Sequence, residues 1–76
     1  MQNVYTSNYE DLAAAKHAEL FSWGAVAEYF TAQFEADNAA ALVGCEKEDV
    51  GAVVLYMRGD EEVAYFDYER FVGLVR

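Results

Sequence analysis

Val50-Gly51-Ala52-Val53-Val54-Leu55-Tyr56-Met57-Arg58-Gly59-Asp60-Glu61-Glu62-Val63-Ala64-Tyr65-Phe66 is the stretch on which the fold turns. Ala52 to Met57 is strand-forming, Arg58 to Glu61 carries a reversal, and Val63 to Phe66 return, which together spell an antiparallel β-hairpin. Gly59 followed by Asp60 supplies the residue tolerant of positive φ that such a reversal needs. Two strands alone are marginal in water, so helices must cover one face of this ribbon.

Upstream, Ser7, Asn8, Tyr9 and Glu10 fit an S-x-x-E capping box, and a helix is expected to start there and run through the alanine-rich residues to Leu20. Ser22 can cap again. Beyond it Trp23, Val26, Ala27, Phe30 and Phe34 recur at helical spacing, the clearest inward stripe in the chain, with Glu28, Thr31 and Glu35 off it. Periodicity leaves open whether residues 8–36 form one helix or two, because Gly24 costs helix stability without forbidding it. Asp37 or Asn38 reads as a turn or new N-cap, Ala39 to Val43 as one or two further helical turns, and Gly44 as their C′ residue. Glu46, Lys47, Glu48 and Asp49 read as an acidic link to the hairpin. Asp67 is the expected N-cap of a final helix from Tyr68, with Phe71, Leu74 and Val75 inward. Met1 to Thr6 supplies either a third strand or an extended arm.

The expected fold is therefore one small α+β domain over residues 1–76: two or three N-terminal helices, an antiparallel hairpin with a third strand optional, and a C-terminal helix. At 76 residues such a domain buries only about 60% of the surface its unfolded chain exposes, so its margin of stability is thin. A hydrophobic content of 55% excludes the disordered class, and aromatic residues at 16% exceed what so small a core requires, leaving some for an interface.

Fourteen acidic residues against five basic ones give a net charge of −9. Such a surface repels nucleic acid and anionic membranes and attracts basic proteins. No basic segment leads into an apolar one near Met1, no run has transmembrane length, and Cys45 is the only cysteine, so the chain reads as cytoplasmic.

Chemistry is sparse. One Cys and one His cannot build a structural zinc site, and neither acidic cluster has the alternating oxygens and central glycine of a calcium loop, so no metal and no cofactor is expected. Cys45 and His17 have no activating partner at recognisable spacing, and no phosphate-binding loop is present. An enzyme is not expected. Arg58-Gly59-Asp60 spells an adhesion tripeptide, but turn chemistry accounts for it.

The acidity itself has three readings: solubility, adaptation to high salt, and imitation of a polyanion. For the last, a duplex carries about one charge per 1.7 Å of axis, and carboxylates set in a row can occupy a basic groove made for phosphates. Glu28 and Glu35 lie two helical turns apart, and the Glu46 to Asp49 and Asp60 to Glu62 clusters flank the first strand of the hairpin.

Tyr65, Phe66, Asp67, Tyr68, Glu69, Arg70 and Phe71 resemble a segment of the ArdA-type antirestriction proteins, acidic DNA mimics made by mobile elements. In size, acidity and lack of catalytic chemistry the chain is also similar to small phage proteins that inhibit host defence, the anti-CRISPR proteins among them. Together with the charge these resemblances lead to the expectation of a protein-binding inhibitor that blocks a basic, nucleic-acid-binding surface; the residues themselves offer Glu28, Glu35, Glu46, Glu48, Asp49, Asp60, Glu61 and Glu62 as the carboxylates that stand in for phosphates, with Tyr29 as an anchor. The alternative is a structural or assembly subunit, homodimeric or part of a larger particle, whose acidity serves solubility alone.

Overall fold

The hairpin forms where the sequence places it, and three further strands extend it, one on one side and two on the other. The computed structural model describes residues 4–76, in the order β1 (Val4–Asn8), α1 (Glu10–Leu20), α2 (Trp23–Asp37), β2 (Glu46–Val50), β3 (Val53–Arg58), β4 (Glu61–Asp67) and β5 (Val72–Val75). The five strands make one antiparallel sheet in the order β1-β5-β4-β3-β2. The fold is α+β, with both helices on one face of the sheet. The third strand expected from Met1 to Thr6 is present from Val4 onward and pairs with β5; Met1 to Asn3 lie outside the described residues.

The capping box does not form. Ser7 belongs to β1, and Asn8 Oδ1 instead accepts the Glu10 N–H at 3.0 Å to start α1. The break between helices is real: Phe21 takes a left-handed conformation (φ 56°), and the Ser22 hydroxyl accepts the Ala25 N–H at 3.2 Å to cap α2. Val26, Phe30 and Phe34 are buried as the stripe requires, whereas Trp23, at the first position of α2, is 53% exposed. Beyond Asn38 the chain makes successive turns rather than further helix, and it leaves them through Gly44 at φ 78°.

Two corrections concern strands. Glu46 to Asp49 is not a link: it is most of β2, an edge strand paired with β3 through a tight turn at Gly51 (φ 64°) and Ala52. Tyr68 clamps that turn, donating its N–H to the Ala52 carbonyl at 3.0 Å and its hydroxyl to the Gly51 carbonyl at 2.7 Å. The expected C-terminal helix is absent. Asp67 does cap, accepting from the N–H groups of Glu69 (2.9 Å) and Arg70 (3.1 Å), but it caps a turn that ends at left-handed Phe71 (φ 57°) and delivers β5. Three of the four residues of β5 are Val or Leu, which suit a strand better than a helix. The fourth is Gly73, seated against the Phe34 ring where no side chain fits. The Tyr65 to Phe71 segment is consequently a strand and turn, not a strand-to-helix junction.

Alternation along the strands sets the two faces. The cross-strand rows Val54, Phe66, Gly73 and Tyr56, Ala64, Val75 face the helices, where Phe34 stacks on Phe66 at 5.2 Å and Tyr9 on Phe30 at 5.0 Å. Leu55, Tyr65 and Leu74 form the matching row on the outer face. A register shift between Tyr56 and Met57 marks a bulge at Val63.

Candidate functional site

Position at the end of the sheet makes β2 the natural place to look for a contact surface, since all five of its residues are exposed and, among the described residues, one side of its backbone has no strand beside it. Lys47 and Asp49 point toward α2, and Glu46, Glu48 and Val50 to the outer face, by the same alternation. Lys47 Nζ lies 2.7 Å from Glu35 on α2, and the Tyr56 hydroxyl donates to that carboxylate at 2.9 Å. Burial and this neighbouring carboxylate push the Tyr56 phenol above its ordinary range.

Two hollows flank the edge. The larger, about 630 Å³, lies between α2 and the sheet and gathers Glu28, Glu35 and Asp49 around Lys47. The smaller, about 430 Å³, lies on the hairpin side and brings Glu46 and Glu48 to Asp60. Six carboxylates thus border β2 with one ammonium, itself engaged by Glu35. Strand geometry places Glu46, Glu48 and Asp49 within about 10 Å. They border the edge from both sides, Glu46 and Glu48 on the outer face and Asp49 on the α2 face with Lys47.

The other expected contact residues lie elsewhere. Glu61 is exposed at the hairpin tip beside Asp60, with Arg58 as its cross-strand partner. Glu62 sits on β4, two strands inward, and its carboxylate lies 3.2 Å from Arg76. Tyr29 lies on another flank of α2, under Lys16, whose ammonium is 4.4 Å from the ring centre. The sequence placed Glu46 to Asp49 in the site but missed that they form a strand. Poor β-propensity hides such an edge, and only its pairing with β3 defines it.

Elsewhere, groups with displaced pKa values work in pairs, one between β1–α1 and α2 and one within α1. The Tyr9 hydroxyl donates to Asp37 at 2.6 Å; burial first, then this bond, raises the phenol, while Tyr9 and Gln33 hold the Asp37 carboxyl below its usual value. Lys16 is raised chiefly by its hydrogen bond to Glu19. Among the described residues no group of three His, Cys, Asp or Glu side chains could hold a metal ion, and no helix is long and apolar enough to cross a membrane.

No family model, curated protein or solved structure matches this chain. Its function is therefore argued from geometry. What the geometry offers is an acidic ridge along a sheet edge, rigidly backed by the hairpin and α2.

Proposed function

We propose that this protein is a non-enzymatic binding protein that lays the β2 ridge against a basic, nucleic-acid-binding surface of another protein and blocks it. The spacing of Glu46, Glu48 and Asp49 along one edge, extended on the flanks by Glu28 and Asp60, carries the reading. Carboxylates fixed on a strand need no ordering when they meet lysines and arginines, and they release the ions that screen the partner much as phosphates do. The resemblance to antirestriction and anti-CRISPR proteins names the class of target, a host defence complex. The test is capture of partners from host lysate on the immobilised protein. Bound protein should elute with rising salt and with added DNA or RNA, and Glu46→Gln/Glu48→Gln/Asp49→Asn should retain little of it. Capture indifferent to both salt and nucleic acid, or unaffected by the triple substitution, sinks the reading.

A second reading, an assembly subunit, is favoured by the outer face of the sheet. Both helices lie on the opposite face, and on the outer one Leu55, Tyr65 and Val53 are only partly covered, with half-exposed Val50 beside them, whereas Leu74 in the same row is buried. Sedimentation of the purified protein separates the two, because a stable oligomer with no basic partner supports the subunit.

A further inference from the structure

A second surface, on the opposite side of α2 from Tyr29, is built unlike the ridge. Where α1, α2 and the β4–β5 turn meet, a groove of about 710 Å³ opens between them. Ala13 and Ala14 of α1 and Gly24 and Ala27 of α2 leave its floor shallow and apolar, and Trp23 and Phe71 wall it. Glu10 and Glu69 stand at its mouth, both exposed and, among the described residues, neither in an ion pair. Arg70 borders a separate hollow beyond Glu10, with Asn8, and forms no ion pair with it.

Two features of the groove, and one residue that precedes Trp23 in the chain, serve no evident need of the fold. Gly24 lies within a helix, where glycine is unfavourable, yet its φ is ordinary and a Cβ there would meet nothing closer than the Ser22 hydroxyl at 3.7 Å. What its missing side chain does is keep the groove open. Trp23 is 53% exposed but held, stacked on His17 at 4.1 Å and tilted against Phe71 at 6.0 Å. A large aromatic fixed before binding loses little entropy on contact. Two residues earlier Phe21, 82% exposed, occupies a left-handed conformation that favours glycine.

We propose that this groove receives an apolar segment of a partner protein that carries Lys or Arg at its flanks. Charge selects that occupant. The floor and walls take aliphatic side chains, the two mouth carboxylates take cations, and the net charge of −9 repels an acidic segment. A second copy of this chain has the wrong sign: its own exposed apolar pair, Leu20 and Phe21, follows Glu19, to which the nearest cation, Lys16, is already bonded at 3.2 Å.

Trp23 is the only tryptophan, so its emission reports the groove directly. The probes are a synthetic helical Leu/Lys peptide and a Leu/Glu peptide of equal length, titrated into the full chain. The Leu/Lys peptide should shift Trp23 emission to shorter wavelength and bind more weakly as salt rises, and the Leu/Glu peptide should do neither. Gly24→Ala should melt at a higher temperature than the wild type yet bind about tenfold more weakly. Glu10→Gln/Glu69→Gln should weaken binding severalfold, and Glu46→Gln/Glu48→Gln on the ridge should leave it unchanged. That last arm makes failure of the groove distinguishable from failure of the ridge. The proposal is overturned if the Leu/Lys peptide does not bind, if both peptides bind alike, or if Gly24→Ala binds as the wild type does. Sensitivity to the ridge pair in place of the groove variants, or an emission shift on concentrating the protein without peptide, overturns it too.

Discussion

Phe34 and Gly73 are fitted to each other: the ring lies where the first carbon of any side chain on Gly73 would have to stand. The relationship joins the last turn of α2 to the interior strand β5, and Phe34 is completely buried, so neither partner can move aside into solvent. Gly73→Ala should cost about 1–3 kcal/mol through overpacking, read as a lowered urea midpoint with unchanged slope. Adding Phe34→Leu should recover part of that loss, whereas additive losses would show that the two residues do not share one volume.

Phe21 and Phe71 share a backbone conformation and differ in burial, 82% against 5% exposed. Glycine relieves the left-handed strain at either position, by about 1 kcal/mol, but only Phe71 has packing to lose. Phe21→Gly should therefore raise stability by about 0.5 kcal/mol, and Phe71→Gly should lower it by about 3 kcal/mol. Thermal melts of the two variants, compared at one pH, decide the signs.

Alkaline pH should find the Tyr56 to Glu35 contact. The folded phenol is raised above the unfolded value of about 10, so the stability it contributes is complete below pH ~10 and is lost as pH climbs toward the folded value. Urea midpoints from pH 8 to 11 should fall for the wild type and fall less for Tyr56→Phe.

At acid pH the sign reverses for Asp37. Its carboxyl is depressed below 3.8, first by the Tyr9 hydroxyl and then by Gln33. The charge-linked stability is present above pH ~4 and disappears as pH drops through the folded value. Asp37→Asn should be less stable than the wild type at neutral pH, with the difference closing below pH ~3 in the same denaturation assay.

The parts of the fold that local chemistry decides were legible. Gly59 and Asp60 specify their turn by backbone preference alone, and Val26, Phe30 and Phe34 specify the buried side of α2 by spacing alone. The C-terminal strand was not legible, because Asp67 followed by free N–H groups looks the same whether a turn or a helix comes next. What excludes the helix is Phe34, almost forty positions earlier, which requires a bare backbone at Gly73. In the candidate site, residue types were readable and their grouping was not. Pairing register puts Glu48 and Asp49 on opposite faces, sends Glu62 two strands inward to Arg76, and sets Tyr29 under Lys16 on another flank, and none of this has a signature in the order of the letters.

The first strand is bonded to the last, with Val4 opposite Val75. The sheet therefore cannot be completed by zippering outward from the hairpin: two segments some seventy residues apart must meet, and closing so long a loop is entropically slow. Because β1 is the outer neighbour of β5, loss of β1 leaves β5 an edge strand held by β4 alone, so loosening at one extremity weakens the other.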